Sequence, residues 1–565
     1  MQTRRPSLVE LRVLDGANLY FPGPAVKLTL DLSSLVGADA AATAATAEQL
    51  GLSGAHPGPT GGAPRLRFAA TVVTRLLRRI AQEAGVSRLE VRSRLTGGPR
   101  RLVVAFPWHH RERAEALGHA LAGAVDALPS DDVCEVVRAA AVFVRGAEQG
   151  EPPPTRRPTV PVVSVTGTNG KTTTTRMVAR MGLEAGLCVG WSSTDGVQVG
   201  GRMVEAGDHS GPDGAARVLD DPQVELAVAE TARGSILRRA LGVAHNDVSV
   251  VTNVGTHDLG RDGVDTLDQL AEVRAVVTRD TKPEGWVVLG GGDPRTLAMR
   301  LATPARPCVF SRDPDAPALR SALAEGGRAV TVVDGAITVL EGGVDPDPLL
   351  AVADVPATLA GLCRVNLENA LAATGAGLAV GLPRQAVIAG LRGFRADPAD
   401  NPGRMNVYDL HGVTVVVDQA HDSAGAAALL EVMVGLRAPG RSTRLVLGTP
   451  GSGGAGAVRA LGERCAHGAD VVVIARSRHR KGGLRPDEVI ASLRQGAAAA
   501  GRPEVEACPT ELDALQLLVS GAVPGDVVGV MCHGRSRMVD LWLRGHGAAV
   551  DGPEEVRAKA LAAHG

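Results

Sequence analysis

Apolar and polar positions follow two periods along this chain, and the period changes at recognisable punctuation. Residues 8–32, LVELRVLDGANLYFPGPAVKLTLDL, read as two strands around a Gly/Pro turn. Residues 66–84 and 111–127 repeat apolar side chains at helical spacing, and RLVVAFPW between them reads as a strand. A small α/β domain over 1–150 is expected from this, closed by the proline-rich linker GEPPPTRRPT at 150–159. From 160 to 397 short apolar runs alternate with helical segments; VPVVSVTG, ELAVAE, DVSVVTNVG and GWVVLGG are the clearest strands. Strands that are apolar throughout and separated by helices predict a parallel, doubly wound sheet with both faces covered. After DPADNPGRMNVYDL the pattern restarts. GVTVVVDQAH, TRLVLGTPG, ADVVVIARS and GDVVGVMCHG predict a second α/β domain, Rossmann-like, over 398–565.

Length and composition narrow this picture. At 565 residues the chain exceeds one core, and two to four domains are expected. A net charge of −1 and 2% aromatic residues leave neither an electrostatic footprint nor stacking platforms for nucleic acid. The seven cysteines are scattered without a CxxC pair, which argues against a zinc site or a disulfide framework and for thiols in a reducing cytosol. The opening MQTRRPSLVELRVL lacks the apolar core of a signal peptide, and no apolar run reaches membrane-spanning length. A cytoplasmic protein without a membrane partner is expected, and a homo-oligomer is compatible with all of this. Arginine greatly outnumbers lysine, so Lys171 stands out as one of five lysines.

That lysine lies in VTGTNGKTTTT, residues 165–175, between an apolar strand and a helical pattern. Backbone N–H groups from Gly167 to Lys171 can point into one concavity at the positive end of the following helix. Lys171 then reaches β and γ phosphates, and the Thr172 hydroxyl meets Mg²⁺. The general phosphate-loop pattern has a further glycine where this chain has Val165, so the loop is a variant with Gly167 at the tight turn. The next strand ends at Glu230, at the sheet edge where such folds bind ligands, and a carboxylate there suits Mg²⁺. The strand after it leads to Asn253, His257 and Asp258. Hard Mg²⁺ favours the carboxylates; His257 is either a hydrogen-bonding or a structural residue.

At these residues the chain resembles the Mur ligase family, and within it the Mur-ligase-like part of cyanophycin synthetases. VTGTNGKTTT, STDGV, GDHSGPDGAARVL, ETARGSILRRALG, NLENALAA and DNPGRMNVYDLHGVTVVVDQAH carry the resemblance. The N-terminal segment LVELRVLDGANLY is more weakly similar to the N-terminal domain of those synthetases, and the Pro-rich linker stands where they have an ATP-grasp domain. The resemblance implies an ATP-dependent ligase with Mg²⁺. A small-molecule carboxylate is phosphorylated and an amine, from an amino acid or peptide, displaces the phosphate to leave an amide. It assigns Gly167, Thr168, Asn169, Gly170, Lys171, Thr172 and Thr173 to the nucleotide loop. Thr172, Glu230 and Asp258 become metal ligands, with Lys171, Glu230, His257, Asp258 and Arg404 at the reaction centre. Asn366, Arg404, Asp418 and His421 become nucleotide contacts, Arg404 on a phosphate and Asp418 on the ribose.

The chain departs from the family at several of these places. The family's DHLG is HDLG here, which exchanges His257 and Asp258. The lysine that many members carbamylate to hold a second Mg²⁺ is Arg274. The asparagine that reads adenine is Gly290, with Asp293 retained, and a charged loop is replaced by GTPGSGGAGAVRALG. Two readings follow: an active ligase with altered metal and base recognition, or a degraded homologue acting as a nucleotide-binding scaffold or partner of another ligase. Three further features carry less. His109 and His110 precede a helix and point apart, as in a surface turn; RSRHRKGGLRPDE (476–488) is a basic loop; and CHGRSR (532–537) follows a strand as a second possible anion contact.

Overall fold

The computed structural model describes residues 6–52, 56–96, 100–128, 132–448, 454–476, 484–533 and 536–564. Within the features singled out above, residues 449–453, 477–483 and 534–535 lie outside that description, as does the side chain of His257. The chain forms two compact units, residues 1–158 with 211–216 and 234–244, and residues 159–210 with 217–233 and 245–565.

The first unit holds a four-stranded antiparallel sheet in the order Leu8–Leu14, Ala25–Asp31, Arg101–Pro107, Arg92–Leu95. Its strands bury Val26, Leu28, Leu30, Leu102 and Val104. The helices Ala63–Glu83 and Arg111–Ala127 bring Leu76, Leu77, Ile80, Leu121 and Val125 onto them. His109 and His110 are exposed in the turn before the second of these helices.

The second unit contains two sheets. The first has eleven strands, with Val162–Thr166 between Asn246–Val251 and Leu226–Glu230. These three pair in parallel, as do Thr281–Gly290, Arg306–Phe310 and Arg328–Val333 on one side and Val189–Ser193 on the other. Antiparallel strands finish both edges. The second sheet has seven strands, five of them parallel, with Val413–Asp418 beside Val527–Met531 near its middle. Its two faces bury different sets. Val416, Leu445 and Ile474 pack with Leu429 and Met433, whereas Val415, Val446 and Val528 pack with Leu515 and Leu543. Burial on both faces is the reason these strands are apolar without alternation. Among the described residues no helix is long and apolar enough to cross a membrane.

The helix Lys171–Glu184 is held deep in this unit. Met177, Val178 and Met181 share a core with Leu371, Ala376, Val387 and Leu391 from the helices Arg364–Ala379 and Arg384–Gly393. Gly390 allows the closest approach: a Cβ there would stand 2.7 Å from Met181 Cα and 2.9 Å from its backbone nitrogen. The start of a rigid, packed helix is thereby set at the carboxyl end of Val162–Thr166, where the strand order reverses and open α/β sheets bind ligands.

Candidate functional site

The turn from Thr166 to Lys171 is shaped by what its two glycines avoid. Gly167 has φ +151, and a Cβ on it would meet Thr252 Oγ1 at 1.8 Å. Gly170 has φ +87, in the left-handed region that favours glycine, and its Cβ would meet Asn369 Oδ1 at 2.1 Å. Asn169 between them is tied down on three counts. Its N–H donates to Asn253 Oδ1 at 2.9 Å, and its carbonyl accepts from Thr252 Oγ1 at 2.6 Å and Asn253 Nδ2 at 3.1 Å. The Lys171 ammonium folds over the loop and donates to the carbonyls of Gly167 and Thr168, both at 3.0 Å. Burial pushes its pKa down, against the pull of the nearby Glu230 carboxylate.

Glu230 is buried at the end of its strand and faces this helix start. Its Oε2 accepts from Thr172 Oγ1 at 2.9 Å and from the Thr194 N–H at 3.2 Å, and its Oε1 accepts from Thr194 Oγ1 at 2.9 Å. The donor set is hard oxygen: one carboxylate and hydroxyls beside a phosphate loop. That chemistry fits a Mg²⁺ that keeps waters and takes its other ligands from phosphate. Among the described residues no group of three or more His, Cys, Asp and Glu side chains is arranged for a metal.

Asp258, expected as a metal ligand, is paired with a guanidinium. Residues Thr256–Asp258 form a short 3-10 turn rather than strand, and the Asp258 carboxylate accepts from Arg274 at 2.5 Å. Burial pushes the Arg274 pKa down to about 10, and the group stays charged at neutral pH. Exchange of His257 and Asp258 is therefore not a flip between strand faces; the backbone has left the strand before it reaches them.

From the second sheet, Arg404, Asp418 and His421 line a small cleft of about 60 Å³ with Asn169, Gly170 and Asn366. Arg404 Nε is buried with no hydrogen-bond partner among the described residues, so the cleft holds an unspent guanidinium donor. Met405 beside it has φ +55, an uncommon conformation for a side-chain-bearing residue, and its N–H donates to Asp418 Oδ2 at 3.0 Å. Burial pushes the Asp418 carboxyl up, and the Arg404 charge opposes that shift. His421 Nδ1 lies 2.9 Å from the Gln419 carbonyl oxygen. Asn366 donates to the Ala357 carbonyl at 2.8 Å and accepts from Asn369 Nδ2 at 3.2 Å, so it reaches the loop through Asn369.

A larger cavity of about 730 Å³ opens from Thr252 and Asn253 past Gly290 and Asp293 to Arg312 and Glu368. A Cβ at Gly290 would come within 2.4 Å of the Thr252 carbonyl oxygen, so an asparagine does not fit there without moving the strand. Asp293 is occupied in capping the helix Pro294–Ala298, accepting from the Arg295 N–H at 2.8 Å.

Several side chains that shape the site went unassigned in the sequence. Thr194 lies within STDGV and Asn369 within NLEN, both quoted as motifs, yet their partners Glu230 and Gly170 are distant in the chain. Arg176, buried one turn after Thr172, pairs with Asp195 at 2.7 Å and donates to Asn401 Oδ1 at 3.2 Å. Asn401 lies inside DNPGR and Asp195 inside STDGV, but neither motif pointed to Arg176.

A phosphate loop at the reversal point of a parallel sheet, met by a second doubly wound sheet, defines an α/β protein of the P-loop kind. Residues 165–377 match the Mur ligase middle domain and residues 403–534 the Mur ligase glutamate ligase domain, and the chain belongs to the Mur ligase family. It is 40% identical over 270 residues to cyanophycin synthetase of Trichormus variabilis, a match covering 48% of this chain and 30% of that protein. It is 28% identical over 413 residues to the UDP-N-acetylmuramoyl-L-alanyl-D-glutamate–2,6-diaminopimelate ligase of Geobacter metallireducens, covering 69% of this chain and 75% of that one. The fold is also that of a bifunctional folylpolyglutamate synthase/dihydrofolate synthase solved with Mn, AMPPNP and L-glutamate, with a TM-score of 0.51 at 18% identity, covering 68% of this chain and 89% of that chain. The matched region spans less than a third of the cyanophycin synthetase's length.

Proposed function

We propose that this protein is an ATP-dependent ligase that joins a carboxylate to an amine, with an amino acid or peptide among its substrates. The observation that carries this reading is the phosphate loop, which sets Thr172 on Glu230 and meets, at Asn169 and Gly170, the Arg404 Nε that has no partner among the described residues. Family membership supports it, because the named relatives are ligases and synthetases.

In this reading the loop amides and Lys171 hold the β and γ phosphates, and the larger cavity beyond Asn253 receives the nucleoside. Thr172 and Glu230 would hold Mg²⁺, which when bound offsets phosphate charge. A carboxylate oxygen attacks the γ phosphorus, the bond to the β-phosphate oxygen breaks, and ADP departs. The amine then attacks the acyl carbon, the bond to the phosphate oxygen breaks, and inorganic phosphate leaves with an amide and a released proton. The side chains act by positioning and by fixed charge. Arg404 presents a planar donor to phosphate. Asp418 and His421, beside it in the small cleft, contact the nucleotide from the second sheet.

The test is phosphate release by the purified full chain with ATP and Mg²⁺ against a panel of amino acids and dipeptides offered in pairs, with AMPPNP calorimetry alongside. Release that requires both a carboxylate and an amine, and that Lys171→Ala abolishes, is the expected result. Nucleotide uptake without release in any combination supports a scaffold role, and no uptake of nucleotide overturns the reading.

A further inference from the structure

Arg274 is a charged residue in an apolar place. On the helix Leu267–Arg279 it follows Leu270 and Val273 on the buried stripe, and it is 0% exposed. Its guanidinium lies against the strand that feeds the phosphate loop. One nitrogen donates to Thr166 Oγ1 at 3.2 Å; the other donates to Thr168 Oγ1 at 3.0 Å and to Asp258 Oδ2 at 2.5 Å. Thr168 is itself locked by the Gly255 N–H at 2.8 Å. A second buried guanidinium, Arg233, bonds to the Arg261 carbonyl at 3.0 Å and Asp262 at 3.3 Å, and its charge bears on Arg274.

We infer that the site takes one divalent cation, at Thr172 and Glu230, and that Arg274 is a fixed positive charge beneath the phosphate loop where a second cation has no place. This rests on the ligase reading. Three features exclude the second cation. Asp258, the carboxylate nearest that position in sequence pattern, is spent on Arg274. Releasing it would strand a buried guanidinium, which is strongly unfavourable. The two arginines repel a dication from the same volume. Unlike a metal, the guanidinium is permanent, and its orientation is set by three oxygens before nucleotide arrives. Arg274 acts on the loop through Thr166 and Thr168 and is a positioning residue.

Equilibrium dialysis of the full chain with saturating AMPPNP and graded Mn²⁺ counts both species retained. The expected ratio is one Mn²⁺ per nucleotide, approached along a single hyperbola. In a folded Arg274→Gln chain, Asp258 is freed and the ratio rises to two, and it returns to one in Arg274→Gln/Asp258→Asn. A parent ratio of two, or of none, overturns the inference, as does an unchanged ratio in folded Arg274→Gln; if that variant does not fold, the parent count decides. Nucleotide retained with two Mn²⁺ defeats this inference alone, whereas no nucleotide retained defeats the ligase reading with it.

Discussion

The side-chain amide of Asn169 donates to Asp422 Oδ2 at 3.1 Å and so ties the phosphate loop of one sheet to a helix start on the other. Asp422 has a second duty. Its other carboxylate oxygen accepts from the Gly425 N–H at 2.7 Å and caps the helix Ser423–Leu436. A single carboxylate therefore serves both local helix stability and closure of the cleft over the loop.

Asp422→Ser separates the two duties. Serine is a good N-cap and keeps the Gly425 bond, so melting temperature should change little. It is too short to hold Asn169. Amide exchange over residues 167–172 should quicken in the absence of nucleotide, and unchanged exchange would show that the contact does not restrain the loop.

Gly170→Ala should remove nucleotide binding while the chain remains folded. The substitution strains a φ of +87 and drives a methyl into Asn369 Oδ1. The left-handed conformation alone costs about 1–2 kcal/mol. AMPPNP affinity measured by calorimetry should fall at least tenfold. An affinity equal to the parent's would mean that the loop amides are not what grips phosphate.

Glu230→Gln keeps the size of the side chain and its neighbours but removes the charge a hard cation needs. Mn²⁺ retention in the presence of AMPPNP should weaken by an order of magnitude or more, with metal-free nucleotide binding less affected. Equal Mn²⁺ affinity would place the cation elsewhere.

Arg404→Met should lower amine-dependent phosphate release by about 10²–10³, the usual loss for one preorganised charge stabiliser. Arg404→Lys should restore only part, because the planar fork is lost. Full activity in Arg404→Met would separate the orphaned Nε from the reaction.

Asp280, which caps the helix Leu267–Arg279, has its pKa pushed up to about 8 by burial, with one carboxylate oxygen unpartnered among the described residues. The folded state therefore holds a proton that the unfolded chain releases near 3.8, so stability falls as pH rises between those values. Its contribution should decline by up to about 1.4 kcal/mol per pH unit through that window. Asp280→Asn should flatten the fall in melting temperature between pH 5 and pH 8 and be the more stable form at pH 8. Parallel curves for the two chains would refute the assignment.

Much of the fold was legible because its signals are local. Apolar runs at 162–166, 226–230, 246–251, 413–418 and 527–531 all became strands buried on both faces. The loop was legible because a tight strand-to-helix turn needs glycine where a Cβ has no room. Asp258 gave no sign of its Arg274 partner, for an equally physical reason. It follows a strand in sequence, but the backbone turns into a 3-10 segment, and after a turn the side-chain direction no longer follows strand alternation.

The amino-acid order alone determined the alternation of strands and helices, the phosphate loop with Lys171 and Thr172, and the family, since each rests on residues within a few positions of one another. The tertiary structure decided which charges meet. Thr194 reaches Glu230 across 36 positions, Arg274 reaches Thr168 across 106, and Asn169 reaches Asp422 across 253. Such pairs depend on how whole sheets and helices pack, and a guanidinium on an apolar stripe shows its purpose only when the oxygens that receive it are folded around it.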